Sequence, residues 1–313
     1  MSGDGQSGPL RPPARAGYFA DPFLVRAPDG SYAAYGTQPD GGWDERMFEV
    51  LLSDDLRTWR SGGKVLERLA PEMGDQYWAP EVCWRDGSWW MYYSVGRGIE
   101  GHHVRVARSD DLTGPFTDVG VDLTSAESFA IDAHPFQDTD GTWYLYFARD
   151  VLDSERPGTH LAVGRMESPT SLIDVRVALA PYADWQIYER DRPMYDGVYD
   201  WHTLEGPSVV KREGQYWMTF SGGAWTGPGY AVSWASAPTP LGPWTHAPEH
   251  SAPVLGTGPT LTGPGHNSLV VGPDGQDVIA FHSWSGDGSR RELHLAGIRF
   301  TATGPTVDLS SSD

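Results

Sequence analysis

The chain has almost no cysteine. Cys83 is the only one in 313 residues, so no disulfide can form within it and a disulfide-stapled fold is excluded. It has no run approaching the roughly 18 apolar residues of a membrane-spanning helix. Its first 17 residues lack the apolar core of a signal peptide. The protein is therefore expected to be soluble and cytoplasmic, or secreted if a leader has been removed, with no membrane partner. Positive charge is scarce: 23 Lys and Arg face 42 Asp and Glu, a net charge of −19. Such a surface repels phosphate backbones, which argues against nucleic acid, and its simplest use is solubility. Long stretches with apolar residues at a 3.6-residue period are missing too, so little helix is expected.

What the chain has in quantity is 38 Gly, 25 Pro, 14 Trp and 14 Tyr. Gly and Pro imply many tight turns. Trp and Tyr suit strands, and their flat faces suit stacking on sugar rings.

One pattern recurs five times: an acidic residue, Gly, a small or polar residue, then a mostly apolar run. The copies are Asp29-Gly30-Ser31-Tyr32, Asp86-Gly87-Ser88-Trp89, Asp140-Gly141-Thr142-Trp143, Glu213-Gly214-Gln215-Tyr216 and Asp274-Gly275-Gln276-Asp277. Acidic-Gly between two apolar runs signals a hairpin, because glycine accepts positive φ at no steric cost. Third strands follow at Phe48–Leu52, His103–Ala107, Leu161–Gly164 and Tyr230–Trp234. A β-sandwich could carry repeated hairpins, but a regular spacing near 60 residues favours a five-bladed β-propeller, one blade per repeat. The expected organisation is a disordered tail over residues 1–16 and a single propeller domain over residues 17–313.

Eight residues before each acidic residue stand Asp21, Trp78, Asp132, Glu205 and His266. Each opens an apolar strand. Innermost propeller strands line one axial channel, so equivalent positions at their starts converge at one mouth of it. Taken singly, each residue has a plainer role: Asp before Pro is a turn residue, Trp is core, and a lone His is a satisfied buried ring. The shared register is what lifts them. Three carboxylates in one pocket raise one another's pKa and so separate their roles. Glycoside hydrolysis needs that separation, with one protonated acid for the leaving oxygen and one ionised carboxylate for water or carbon.

At these residues the chain resembles glycoside hydrolase family 43. The matches are Ala20-Asp21-Pro22-Phe23, Trp78-Ala79-Pro80-Glu81-Val82, Ile131-Asp132-Ala133-His134-Pro135-Phe136, Glu205-Gly206-Pro207 and Gly263-Pro264-Gly265-His266-Asn267-Ser268, in family order. The resemblance implies a five-bladed propeller and inversion at the anomeric carbon. Asp21 matches the general base, Glu205 the general acid, and Asp132 the residue that tunes and orients the acid. Trp78 matches a sugar-contacting position, and Phe23, His134 and Arg291 are expected to contact substrate as well. Arg290, beside Arg291, competes for that last assignment. His266 matches a position near the channel centre that in many members holds a calcium or sodium ion through water. No cofactor is otherwise expected. Inversion implies base and acid carboxyls roughly 6.5–9.5 Å apart.

The resemblance also orders the substrates. The Ile131–Phe136 motif is similar to exo-acting arabinofuranosidase branches. Many β-xylosidases of the family carry a further C-terminal β-sandwich, for which this chain has no room after its fifth repeat. The expected activity is release of terminal α-L-arabinofuranose from arabinan or arabinoxylan oligosaccharides, with β-xylosidase as the alternative and a non-catalytic carbohydrate-binding propeller behind both. Fructose-processing propellers fit poorly, because their Asn-Asp-Pro and Arg-Asp-Pro motifs are replaced by Ala20-Asp21-Pro22 and Ile131-Asp132-Ala133. The long third repeat contains an insertion over residues 178–199 with Trp185, Tyr188, Tyr195 and Tyr199. It reads either as a rim loop that narrows the pocket or as a solvent loop packed by its own aromatics.

Overall fold

A computed structural model describes residues 13–39 and 44–309. Among them the only helical segments are two single 3₁₀ turns, at Pro71–Met73 and Asp184–Gln186, and no helix is long and apolar enough to cross a membrane. The rest is strand and turn, arranged as a five-bladed β-propeller. Blade 1 is β1 (Ala20–Arg26), β2 (Tyr32–Thr37), β3 (Arg46–Ser53) and β4 (Arg60–Glu67). Blade 2 is β5 (Gln76–Arg85), β6 (Ser88–Arg97), β7 (Glu100–Ser109) and β8 (Thr117–Asp122). Blade 3 is β9 (Ala130–Gln137), β10 (Trp143–Val151), β11 (Gly158–Ser168) and β12 (Ser171–Leu179). After the extra strand β13 (Ile187–Met194), blade 4 is β14 (Gly197–Arg212), β15 (Gln215–Gly222), β16 (Ala231–Ala237) and β17 (Thr245–His246). Blade 5 is β18 (Gly265–Val271), β19 (Asp277–Trp284), β20 (Arg291–Thr301) and β21 (Gly304–Asp308). Each blade is an antiparallel meander.

Apolar residues fill the spaces between neighbouring blades. Phe23, Tyr35 and Phe48 of blade 1 pack with Tyr77, Met91 and Tyr93 of blade 2. Leu145 and Phe147 of blade 3 pack with Tyr92, Val104 and Val106 of blade 2. Blades 3 and 4 are also joined edge to edge, where β11 and β14 pair in parallel at Gly158↔His202 and Thr159↔Thr203.

Of the tail expected over residues 1–16, residues 1–12 lie outside the described residues, and the stretch that follows is anchored. The N–H of Ala14 donates to the carbonyl of Leu293, and that of Phe19 to the carbonyl of Arg291. Arg15 pairs with Glu49 through two hydrogen bonds of 2.5 and 3.1 Å. The segment before β1 thus lies along the part of β20 that β21 leaves open, and joins the last blade to the first.

The five acidic-Gly turns are of two kinds, which corrects the expected register. In blades 2 and 4 both turn residues have positive φ, Asp86 and Gly87 at 53° and 79°, Glu213 and Gly214 at 52° and 78°. These are two-residue hairpins. In blades 1, 3 and 5 the strands are joined by five residues, with Arg26↔Tyr32, Gln137↔Trp143 and Val271↔Asp277 as closing pairs. Every innermost strand carries a β-bulge centred on a residue with φ between 43° and 59°: Asp21, Ala79, Asp132, Gly206 and His266. These are the equivalent positions. In the two tight-turn blades the bulge residue stands seven residues before the acidic residue rather than eight, so Trp78 and Glu205 each precede the bulge by one.

Candidate active site

The bulges gather the site. A bulge breaks the alternation of a strand and re-aims its side chains. The left-handed φ it requires here falls on Asp and His in three blades and on Gly206 in a fourth. Asp is among the non-glycine residues that tolerate this conformation best. The result is a mouth in which Asp21, Asp132 and His266 are all buried, at 8, 5 and 6% exposure, while Glu205 keeps partial access to solvent.

Asp21 is the most heavily held of the three. Arg291 Nη1 donates to its Oδ1 at 3.0 Å, and Thr37 Oγ1 donates to its Oδ2 at 2.5 Å. His266 Nδ1 lies 3.4 Å from Oδ1. His282 Nδ1 accepts the Asp21 backbone N–H at 3.1 Å, which fixes that nitrogen as unprotonated. Burial alone would push the Asp21 carboxyl up, but the Arg291 guanidinium outweighs it and holds Asp21 well below the usual range. Burial pushes both histidines down, His282 to about 4, so neither is a cation at neutral pH.

Glu205 has the opposite balance. Burial raises it to about 7; the Tyr230 hydroxyl, donating to Oε1 at 2.5 Å, opposes the rise, and the negative charge of Asp21 adds to it. Asp132 is raised as well, by burial first and then by the charges of Glu205 and Asp21. Its Oδ2 accepts the Gly206 backbone N–H at 2.9 Å, which ties it to the peptide next to Glu205. The mouth therefore presents a carboxylate held ionised on blade 1 and two acids of raised pKa, Glu205 on blade 4 and Asp132 on blade 3. That is the division of labour an acid–base hydrolysis needs.

The remaining expected contacts fall in different places. Arg291 reaches Asp21 at 3.0 Å, whereas Arg290 turns away to Glu292 at 2.7 Å. Trp78 is partly exposed and stacks on His102 at 3.6 Å, forming an aromatic wall with Phe129. Phe23 is built into the core between blades 1 and 2. His134 has both ring nitrogens engaged, Nδ1 with Glu81 at 2.7 Å and Nε2 with the Val209 N–H at 3.0 Å. It braces three blades and has no nitrogen left for a sugar. Among the described residues, no group of three or more His, Cys, Asp or Glu is arranged to hold a metal ion. His266 turns its Nδ1 toward two carboxylates, Asp21 at 3.4 Å and Asp132 at 3.8 Å.

Several residues of the site escaped the sequence reading. Thr37 and His282 stand on second strands, immediately opposite the residue that precedes the bulge. The polar side chain after an aromatic run, as in Phe281-His282, is the signal that could have found them. Tyr230 comes from a loop and has no register signal, but Gly265 makes room for it: a Cβ there would stand 1.9 Å from the Tyr230 ring. Tyr230 also stacks on His282 at 5.7 Å. Trp225 lies over the Arg291 guanidinium at 4.6 Å and stacks on Trp284 at 6.2 Å.

The insertion expected as a loop is a β-hairpin. β13 pairs with the first part of β14, and Arg192 sits between Tyr188 and Trp201 at 4.8 and 5.5 Å. Burial raises the Tyr188 hydroxyl, the Arg192 guanidinium opposes the rise, and the Glu205 charge adds to it.

The family model for glycosyl hydrolases family 43 matches residues 10–305. A β-D-galactofuranosidase of Aspergillus niger is 30% identical over 287 residues, covering 86% of this chain and 75% of that protein. An extracellular exo-α-(1→5)-L-arabinofuranosidase of Streptomyces avermitilis is 27% identical over 84% of this chain; the match spans only 54% of that longer protein. Among solved structures, a thermostable family-43 glycoside hydrolase superposes with a TM-score of 0.82 at 28% identity, over 96% of this chain and 95% of that one. With the match covering nearly the whole propeller and the carboxylates gathered at its mouth, this chain belongs to glycoside hydrolase family 43.

Proposed function

We propose that the protein is an inverting, exo-acting α-L-arabinofuranosidase that releases terminal arabinofuranose from arabinan or arabinoxylan oligosaccharides. The observation that carries this is the opposed electrostatics of two acids at one mouth: Asp21 held ionised by Arg291, Glu205 raised to about 7. Asp21 takes a proton from water as the water attacks the anomeric carbon. Glu205 gives its proton to the departing oxygen. Asp132, beside Glu205, discourages early loss of that proton and holds the neighbouring peptide. The Tyr188–Arg192–Trp201 hairpin narrows the approach on the acid's side and favours chain ends.

The furanose assignment draws on two relatives, one named for an arabinofuranosidase and the other for a β-D-galactofuranosidase. The rings of those two sugars share their configuration and differ in the exocyclic arm. The alternative is β-xylosidase action; a Bacteroides ovatus relative, 26% identical, is named xylosidase/arabinosidase. Nitrophenyl α-L-arabinofuranoside, β-D-xylopyranoside and β-D-galactofuranoside assayed side by side separate these readings. Faster turnover of the xyloside reverses the preference for arabinose. Proton NMR of the first anomer released tests inversion; a retained anomer refutes it. Glu205→Gln is expected to lower turnover of unactivated oligosaccharides by at least about 100-fold while substrate still binds. A water-held calcium or sodium ion beside His266 is a separate part of the proposal, checked by whether calcium raises the melting temperature of chelator-treated protein.

A further inference from the structure

The innermost strands are laced together by hydrogen bonds between blades. At four of the five junctions, a second-strand side chain accepts the backbone N–H of the bulge residue in the next blade. Thr37 Oγ1 takes the N–H of Ala79 at 2.9 Å, and Ser94 Oγ takes that of Asp132 at 3.2 Å. Ser221 Oγ takes that of His266 at 2.7 Å, and His282 Nδ1 takes that of Asp21 at 3.1 Å. These four acceptors share one register, each paired with the residue before its blade's bulge. The fifth residue in that register is Ala148, paired with Ile131 and fully buried. Its methyl group accepts nothing. The N–H at that junction belongs to Gly206, and Asp132 Oδ2 accepts it instead.

We propose that Ala148 is a positioning residue: by withholding an acceptor, it leaves the Gly206 N–H to Asp132, and that bond fixes the Asp132 carboxylate against the peptide carrying Glu205. This rests on Glu205 being the acid and Asp132 its partner. Asp132 is surrounded by groups that do not hold it in one orientation: the carboxylates of Glu205, Asp21 and Glu81 repel it, and His266 Nδ1 is 3.8 Å away. The backbone N–H is a rigid donor on the strand that carries the acid. A hydroxyl at position 148 would insert itself there, as Thr37 does between Ala79 and Asp21 on the blade 1 side.

The test compares leaving groups. A methyl glycoside or oligosaccharide needs the acid's proton to depart, whereas a 2,4-dinitrophenyl glycoside departs without it. Ala148→Ser is expected to lose roughly tenfold in kcat on the poor leaving group and less than twofold on the activated one, since acid catalysis contributes on the order of 10²–10⁴ in rate. Ala148→Gly, which adds no acceptor, is expected to show no such selectivity. Equal effects of Ala148→Ser on both substrates, or none on either, overturn the proposal. If serine unsettles the fold, melting temperatures of Asp132→Asn and Asp132→Ala decide. The amide oxygen can keep the Gly206 bond and the methyl cannot, so the alanine variant should melt several degrees lower; equal values overturn the assignment. Glu205→Gln run alongside tells the two failures apart. Full activity of that variant on the poor leaving group would defeat the acid assignment, whereas an inactive Glu205→Gln with unselective Ala148→Ser defeats only the role of Ala148.

Discussion

Asp21 and Glu205 stand at one mouth among different neighbours. Asp21 meets a guanidinium and a threonine hydroxyl, whereas Glu205 meets one tyrosine hydroxyl and the field of other acids. The pH dependence of kcat/KM follows from the signs. In the proposed roles activity needs Glu205 protonated, so it should fall as pH rises through about 7. It needs Asp21 ionised, and because Asp21 lies well below its ordinary 3.8, the acid-side loss should begin only below that value. A pH–rate profile with an alkaline limb near 9, or an acid limb near 5, contradicts this assignment. The Tyr230 hydroxyl favours the ionised form of Glu205, so Tyr230→Phe should move the alkaline limb upward by about one unit, the size expected for a hydrogen bond to a charged group. An unmoved limb removes Tyr230 from the acid's environment.

At the scale of strands and turns, one residue of turn length decides which side chain occupies a bulge. Asp86-Gly87 and Glu213-Gly214 close directly on their strands, while the other three copies sit within five-residue loops. Composition shows an acidic-Gly pair in all five and cannot tell the two geometries apart. The five repeats, the blade order and the convergence of Asp21, Asp132 and Glu205 were legible because strand period and turn chemistry are local. Contacts between blades were not, because register across a junction depends on the turn behind it. Thus His134 and Phe23, expected at the sugar, became a brace and a core residue. The junction bonds make their own prediction: Ser221→Ala leaves the buried His266 N–H without its acceptor and should cost about 1–3 kcal/mol, read from denaturant unfolding. A change under about 0.5 kcal/mol, the lower end of what a single hydrogen bond contributes, would mean the junction bond is replaceable. The β13–β14 hairpin belongs to this scale too. Shortening it between Ile187 and Tyr199 should shift preference toward longer arabinan chains, and unchanged chain-length kinetics would leave it a structural ornament.

The whole ring depends on a seam between its first and last blades. Phe19, 3% exposed, is packed with Leu24 and Leu51 of blade 1 and Leu293 of blade 5. Phe19→Ala should cost about 3–5 kcal/mol by opening a cavity there. With a drop of roughly 2–4 °C in melting temperature for each kcal/mol in a chain of this order of size, the loss is readily measured. A loss confined to one or two degrees would mean that the seam is held elsewhere. The Arg15–Glu49 pair, with both side chains near 30% exposed, should contribute little by comparison.

The ion pair between Arg291 and Asp21 joins residues 270 positions apart. During synthesis the guanidinium is made long after the carboxylate it must meet, and only the finished circle brings them together. Hydrolytic competence is consequently an assay of circularisation. In a refolding experiment, strand signals should return before turnover does, and the lag between them times the docking of blade 5 onto blade 1.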